Sequence, residues 1–190
     1  YFASPDSIVG NKTVYTYRKS LGFELAKENK ISADVVVPIP DSGVSAALGF
    51  SQKSSIPFEL GIIRSHYVGR TFIEPSQTIR QFGVKLKHSV NRSCIEDKRV
   101  ILIDDSIVRG TTASKIVKMV YEAGAKEVHL GISCPPIKHP DFYGIDTPNY
   151  NELIASKSNI EEMTELVGAK SLFFLSLDGT YKAMGHNERN

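Results

Sequence analysis

Residues 100–112, which read VILIDDSIVRGTT, decide the fold class of this chain. Four branched apolar residues come first, two acids follow, and a turn of small and polar residues ends the stretch. Consecutive branched apolar residues are typical of a strand that is buried on both faces, as in a parallel sheet. We therefore predict a strand over residues 99–103 and an amphipathic helix over residues 112–123, capped by Gly124.

The two acids, Asp104 and Asp105, lie directly after the predicted strand. Ligands of parallel α/β sheets bind beyond the carboxyl ends of the strands. Adjacent residues of a strand point to opposite sides, so the two carboxylates can serve different groups. Ribose hydroxyls, a hydrated Mg²⁺ ion, or both would suit them. The alternative is that the two acids only cap a helix. The strand before them and the turn after them argue against this alternative.

The turn at residues 106–112 predicts an anion site. Gly110 permits close approach of a ligand to the backbone. Thr111 and Thr112 supply hydroxyls at the start of the next helix, where amide N–H groups and the helix dipole favour a phosphate. A dinucleotide-binding site is disfavoured, because no predicted strand is followed by G-x-G-x-x-G.

Outside this stretch the chain alternates between short apolar runs and amphipathic segments, which is typical of an α/β fold with crossover helices. After Pro135 the sequence becomes rich in turn residues and aromatics. We predict a mostly parallel twisted sheet flanked by helices, with a core at about residues 13–135 and a small C-terminal appendage at about 136–190. The further predicted helices are 13–29, 43–54, 77–87, 151–156 and 159–167, and the further predicted strands are 34–40, 58–63, 127–134 and 172–175.

Composition limits the class of protein. The 190 residues are 41% hydrophobic and 23% charged, which suits one globular domain. A net charge of +2 gives no argument for binding nucleic acid or a membrane, and no apolar run approaches the roughly 20 residues of a membrane span. Cys94 and Cys134 are far apart, with no partner at metal-binding spacing. We expect free thiols in a reducing compartment, the cytoplasm.

Two more segments could take part in ligand binding or catalysis. Residues 35–50, VVVPIPDSGVSAALGF, place a polar loop after a strand. Such a loop can present N–H groups and a hydroxyl to a pyrophosphate, or it is an ordinary turn in which Ser42 caps the helix. Residues 64–89, RSHYVGRTFIEPSQTIRQFGVKLKHS, are long and basic. Segments of this kind are usually functional lids or disordered.

Residues 100–112 resemble, over their whole length, the phosphoribosyl pyrophosphate motif of type I phosphoribosyltransferases. Other segments narrow the resemblance to the glutamine phosphoribosylpyrophosphate amidotransferase family. These are YVGRTFI at 67–73, PSQ at 75–77, VRGTT at 108–112 and HPDFYGID at 139–146. The similarity extends from YFASPDS at 1–7 nearly to the end of the chain. It implies the type I phosphoribosyltransferase fold.

The resemblance also implies an activity. The family transfers ammonia to C1 of phosphoribosyl pyrophosphate, which yields phosphoribosylamine and pyrophosphate and opens purine biosynthesis. An N-terminal glutaminase domain with a terminal cysteine supplies the ammonia from glutamine. Because the chain starts at Tyr1, we expect no glutaminase domain and no glutaminase activity here, only the use of free ammonia. Purine nucleotides are implied as inhibitors, and a homo-oligomer is expected.

Residue roles follow from the same resemblance. Asp104 and Asp105 would be catalytic and hold the ribose hydroxyls and Mg²⁺, with Ser42 as a further metal-site residue. Arg64 and a lid at 65–85 would close on the substrate, and Tyr67 and Ile73 would line an ammonia channel. Asp41, Ser42 and Gly43 would bind pyrophosphate, and the 5′-phosphate would contact Ser106, Val108, Arg109, Gly110, Thr111 and Thr112.

Some members of the family carry an iron–sulfur cluster, and one cysteine ligand falls where this chain has Asp141. We therefore expect no cluster here.

Two alternatives stay open. A nucleobase salvage phosphoribosyltransferase would use the same site on a purine or pyrimidine, although the YVGRTFI segment and the C-terminal appendage argue against it. A regulator that keeps the fold and the phosphate loop without the chemistry is the second alternative. Regulators of this kind would be expected to add a DNA-binding domain, which the sequence does not suggest.

Overall fold

The computed structural model describes residues 3–64, 88–141 and 149–186. In chain order the described strands are β1 (Ile8–Val9), β2 (Lys12–Thr13), β3 (Val35–Pro38), β4 (Ile62–Arg64), β5 (His88–Val90), β6 (Arg99–Asp104), β7 (Glu127–Ile132) and β8 (Ser171–Phe174). The described α-helices are α1 (Val14–Glu28), α2 (Val44–Ser54), α3 (Arg92–Ile95), α4 (Thr111–Glu122), α5 (Ile154–Lys157), α6 (Ile160–Val167) and α7 (Leu177–Met184), and Tyr150–Glu152 form a 3-10 helix.

A parallel sheet in the order β3-β6-β7-β8 forms the centre of the protein. Its register aligns Val35 with Val100 and Pro38 with Ile103, so β3 and β6 end at the same edge. The predicted α/β class with a parallel sheet is therefore confirmed. The loops that follow β3 and β6 meet at this edge, where the predicted site lies.

The branched residues of β6 are divided between two cores, because alternate side chains of a strand point to opposite faces. Val100 and Leu102 pack into one cluster together with Ile116 and other residues of α4. Ile101 and Ile103 pack into the other cluster, around Phe50 of α2. Burial on both faces explains why the strand needs an uninterrupted apolar run.

Helices α1 and α2 cover the second face and approach each other closely. A Cβ atom on Gly22 would lie 1.8 Å from the carbonyl oxygen of Ala46, and one on Gly49 would lie 1.9 Å from that of Lys19. Only glycine permits this separation of the two backbones. The predicted helices 13–29 and 43–54 are confirmed, with Thr13 and Gly43 as N-caps.

The predicted strand at 58–63 is largely wrong. Phe58 forms only an isolated parallel bridge with Val36, and the regular strand begins at Ile62. This strand pairs antiparallel with β5 in a separate two-stranded sheet. Gly61 lies between the two pairings, and a Cβ atom there would lie 2.8 Å from Ile95, so the backbone packs closely against the core at that residue.

The fourth strand of the central sheet is β8, from the segment predicted to be an appendage. It pairs in parallel with β7, aligning Leu130 with Leu172. After β8, Ser176 donates from its backbone N–H and from its hydroxyl to the carboxylate of Glu28 on α1, at 2.8 and 2.5 Å. These contacts attach the C-terminal segment to both the sheet and α1.

Smaller differences concern the remaining segments. Residues 91–98, predicted to lack regular structure, contain α3, and the predicted helix 151–156 is divided into the 3-10 helix and α5. The sequence did not predict the β1–β2 hairpin or α7. The predicted helix 77–87 lies outside the described residues. Among the helices that are described, none has the length and apolarity that crossing a membrane requires.

Candidate functional site

A cavity of about 310 Å³ lies beyond the carboxyl ends of β3 and β6. Both loops that follow these strands contribute to its wall, as does one residue of β5. The lining residues are Ile39, Pro40, Ser42, His88, residues 104–113 and Ile116. The cavity therefore brings Ser42 to the acid pair and the predicted phosphate loop, although Ser42 lies 62 residues before Asp104 in the sequence.

Asp104 is the last residue of β6 and is held by the loops of neighbouring strands. Its Oδ1 atom accepts from the backbone N–H of Asp105 at 2.8 Å and from the hydroxyl of Ser42 at 3.4 Å. Its carbonyl oxygen accepts from the N–H and the hydroxyl of Ser133, at 2.9 and 3.1 Å. The carboxyl thus has a defined position at the bottom of the cavity.

Burial raises the pKa of the Asp104 carboxyl to about 7, and the negative charge of Asp105 adds to the increase. The N–H of Asp105 and the hydroxyl of Ser42 act against it, because each donates to the charged form. An anion in this position is stabilised by any cation that enters the cavity.

Replacing Asp104 with asparagine is expected to stabilise the fold above about pH 7. With a pKa of 3.8 unfolded and about 7 folded, Asp104 binds more protons in the folded state, so stability falls as the pH rises between these values. An amide has no such charge, and the gain should reach on the order of 2 kcal/mol. Urea unfolding at several pH values measures it.

The matched control is Asp97→Asn, because Asp97 is an exposed acid that tolerates asparagine at its φ of +61°. Its free energy of unfolding should change little at any pH. An equal gain for Asp104→Asn at acidic and alkaline pH would contradict the raised pKa.

Asp105 has different surroundings. Its Oδ1 atom accepts from the hydroxyl of Ser106 at 3.0 Å. It lines the site cavity and also a second, mostly apolar cavity of about 310 Å³ that includes Tyr17 and Cys134. Burial, together with the charges of Asp105 and Asp104, raises the pKa of the Cys134 thiol to about 12, so this cysteine is a poor nucleophile. The hydroxyl of Ser42 contacts Asp104 and that of Ser106 contacts Asp105, while the two carboxyl groups also lie close enough to interact with each other.

The loop at 106–112 leads from β6 into α4. Gly110 is the N-cap residue and has a φ of +77°, in the left-handed region that glycine tolerates best. The first intrahelical bond runs from Ser114 N to Gly110 O at 2.9 Å. The N–H groups of the first helical turn have no intrahelical acceptor, and Thr111, Thr112 and Ala113 line the cavity. This is the geometry of an anion site.

The loop after β3 is fixed against β6. Ile39 donates its N–H to Ile103 O at 2.9 Å, and Gly43 donates to Ile39 O at 3.0 Å. The peptide bond between Pro40 and Asp41 is cis. The N-cap of α2 is Gly43, without a side-chain capping bond, so the alternative in which Ser42 caps the helix is wrong. The Ser42 hydroxyl instead contacts Asp104.

The structure brings together Asp41, in the loop after β3, and Arg64, the last residue of β4. Arg64 Nη1 donates to Asp41 Oδ2 at 2.6 Å, and both side chains are about half exposed. Asp41, Gly43 and Arg64 are not among the residues that line the cavity. Tyr67, Ile73 and the rest of the predicted lid lie outside the described residues.

Three residues near the site were not predicted from the sequence. His88 of β5 lines the cavity, Ser133 holds the carbonyl of Asp104, and Glu152 pairs with Arg109. His88 lies near the end of the basic segment at 64–89, and that position was a weak signal. Ser133 and Glu152 had none, because tertiary structure alone brings them to the loop.

The donor set of the cavity suits Mg²⁺. Within residues 3–64, 88–141 and 149–186, no group of three or more His, Cys, Asp or Glu side chains forms a metal site. Mg²⁺ is usually bound by only one or two carboxylates together with phosphate oxygens of a substrate. Asp104, Asp105 and the hydroxyl of Ser42 offer such a set next to an anion site.

Comparison with known proteins identifies related chains. The family model for the phosphoribosyl transferase domain matches residues 19–144. An amidophosphoribosyltransferase of Rhizobium etli is 62% identical over 191 residues, which cover 100% of this chain and 38% of that protein. The amidophosphoribosyltransferase of Bacillus subtilis is 53% identical over 185 residues, which cover 97% of this chain and 39% of that protein.

A solved structure of similar shape agrees with these relatives. It is the glutamine phosphoribosylpyrophosphate amidotransferase of B. subtilis, complexed with ADP and GMP. It matches with a TM-score of 0.91 and 52% identity, covering 100% of this chain and 42% of that chain. The chain spans less than half the length of each of these relatives.

Proposed function

Because this chain belongs to the phosphoribosyl transferase domain family, we propose that it transfers ammonia to C1 of phosphoribosyl pyrophosphate, forming 5-phosphoribosylamine and pyrophosphate. One observation carries the proposal: the acid pair at the end of β6 and the helix N-terminus of α4 line a single cavity. The high identity to two amidophosphoribosyltransferases favours ammonia as the acceptor.

The 5′-phosphate binds at the loop 106–112, where it would accept from N–H groups and from the hydroxyls of Thr111 and Thr112, and from Ser106 once its hydroxyl turns away from Asp105. The ribose hydroxyls donate to the carboxylates of Asp104 and Asp105, which lie beside that loop. Pyrophosphate contacts the loop at 41–43, with Arg64 as its cationic partner. This placement holds C1 between the two loops.

Asp104 and Asp105, with the hydroxyl of Ser42, would hold Mg²⁺. When bound, the ion neutralises negative charge on the departing pyrophosphate. Above about pH 7, where the Asp104 carboxyl with its raised pKa is ionised, a nearby cation would stabilise its charge.

In the reaction the bond between C1 and the pyrophosphate oxygen breaks, and positive charge develops at C1. The lone pair of ammonia forms the new C–N bond, and the resulting ammonium loses a proton to solvent. The carboxylates of Asp104 and Asp105 stabilise the positive charge because their positions are fixed before the reaction. The predicted lid at 65–85 would exclude water while the C–N bond forms, and Tyr67 and Ile73 would line the path of the ammonia.

Purine nucleotides would compete with the substrate, because they carry the same 5′-phosphate. The B. subtilis relative was solved with ADP and GMP. The cytoplasmic location, the homo-oligomer, the absence of an iron–sulfur cluster, and the division into core and appendage stay predictions.

Pyrophosphate release from phosphoribosyl pyrophosphate tests the proposal. The chain is assayed with Mg²⁺ and either an ammonium salt at mildly alkaline pH, a panel of nucleobases, or no acceptor. We expect release with ammonium and none with nucleobases. Release only with a nucleobase would indicate a salvage enzyme. Substrate binding without release in any mixture would indicate a regulator.

A further inference from the structure

The phosphate loop is contacted from behind by three consecutive residues of the C-terminal segment, 152–154. Arg109 donates from Nε to Glu152 Oε2 at 2.6 Å, and its Nη2 atom lies 2.5 Å from the same oxygen. Both nitrogens of one guanidinium edge therefore share one carboxylate oxygen in a charge-assisted contact.

The neighbouring loop residues are held by the same segment. Ile154 donates its N–H to Val108 O at 2.9 Å. A Cβ atom on Gly110 would lie 2.9 Å from Cδ1 of Ile154, so this side chain packs directly against the glycine. Leu153, between the two contacts, is fully buried and anchors the segment in the core. Residues 108, 109 and 110 are thus each fixed by one contact.

Fold stability is a poor explanation for the ion pair. The side chains of Arg109 and Glu152 are 57% and 45% exposed, and exposed pairs contribute little to the free energy of unfolding. Their location is more informative, because Gly110 has the left-handed conformation that begins α4 and orients its first N–H groups. A loop that is ordered before the ligand arrives binds more tightly than one that must be ordered by it.

We propose that Glu152 is a positioning residue, which holds Arg109 and thereby keeps the phosphate loop in the conformation that binds the 5′-phosphate. The proposal rests on the proposed function of this site. It assigns Arg109, predicted to bind substrate, a role through Glu152: the guanidinium fastens the loop, and the backbone of the loop contacts the phosphate.

The first test is steady-state kinetics of Glu152→Ala. Preorganisation acts equally on the bound substrate and on the transition state, so KM for phosphoribosyl pyrophosphate should rise roughly tenfold while kcat stays nearly unchanged. Glu152→Gln should show a smaller increase, because its amide oxygen still accepts from Arg109. The control is Glu122→Ala, which removes the exposed Lys118–Glu122 pair of α4 at 4.0 Å and should leave KM unchanged.

Calorimetric binding distinguishes this role from a general loss of structure. Glu152→Ala should weaken the binding of ribose 5-phosphate by the same factor as the binding of phosphoribosyl pyrophosphate. The binding of inorganic pyrophosphate should be unaffected. Arg109→Met should match Glu152→Ala, and the double variant should be no weaker than either single variant, because one contact is removed in all three.

Several outcomes would overturn the proposal. Unchanged binding of ribose 5-phosphate in Glu152→Ala would exclude positioning by Glu152, and an equal loss of pyrophosphate binding would indicate a structural defect. Additive losses in the double variant would show that Arg109 and Glu152 act separately. A wild-type chain that binds neither ribose 5-phosphate nor phosphoribosyl pyrophosphate would overturn the proposed function and this inference together. If the wild-type chain binds both, a negative result for Glu152→Ala overturns only the role of Glu152.

Discussion

Replacing Asp104 or Asp105 with asparagine is expected to lower ammonia-dependent pyrophosphate release by roughly 100-fold or more, by analogy with other losses of preorganised charge. Asparagine keeps the size of aspartate and an oxygen that accepts hydrogen bonds. It removes the negative charge that would stabilise the positive C1 centre and hold Mg²⁺. The measurement is kcat/KM for phosphoribosyl pyrophosphate with ammonium in excess.

Stability measured on the same proteins excludes unfolding as the cause. The buried charge of Asp104 makes folding less favourable at neutral and alkaline pH, so Asp104→Asn should be both less active and more stable. Asp97→Asn, on the exposed surface, should retain full turnover. Unchanged turnover in both Asp104→Asn and Asp105→Asn would remove the central assignment of the site.

The acid pair could be predicted because its signal is local. Four consecutive branched residues require burial on both faces, and two charged residues directly after them can only lie at the end of the strand, where the cavity is. Gly110 was predictable for a similar reason, since the loop must turn into the next helix within a few residues. Local steric requirements were therefore sufficient to predict both the acid pair and the phosphate loop of the candidate site.

Pairing between distant residues was not predictable. The runs at 58–63 (FELGII) and 172–175 (LFFL) were both predicted as strands, yet only the second contributes to the four-stranded central sheet of the described residues. Phe58 makes one isolated bridge to Val36 and the first run then pairs with β5, whereas β8 aligns with β7 along its whole length. The residues of the two runs do not specify these long-range pairings.

Ser42 shows the same limit within the site. In the sequence, helix capping and a role in the site were equally compatible with its position before an apolar helix. The short distance between its hydroxyl and Asp104, which is 62 residues away, removes the capping alternative. Glu152 was invisible for the same reason, because its contact with Arg109 spans 43 residues.

Replacing Gly43 with alanine is expected to lower turnover by about 100-fold, the loss that a displacement of about 1 Å can cause. The new Cβ atom would lie 2.3 Å from Ile103 O and 2.8 Å from Ile39 O. Gly43 has an ordinary φ of −74°, so the effect arises from the clash and not from backbone strain. Both clashing atoms belong to the backbone, and Ile103 O also accepts the bond that fixes the loop to β6.

The loop at 39–43 must therefore move away from β6, and Ser42 moves with it from its contact with Asp104. We expect kcat/KM to fall, and the free energy of unfolding to fall by roughly 2 kcal/mol from overpacking. The control is Gly168→Ala, where φ is +74° and no atom lies within 4 Å of the new Cβ. It should cost about 1 kcal/mol in stability, since left-handed backbone disfavours alanine, and leave turnover intact. A Gly43→Ala protein as active as Gly168→Ala would show that the pyrophosphate loop does not need this close approach to β6.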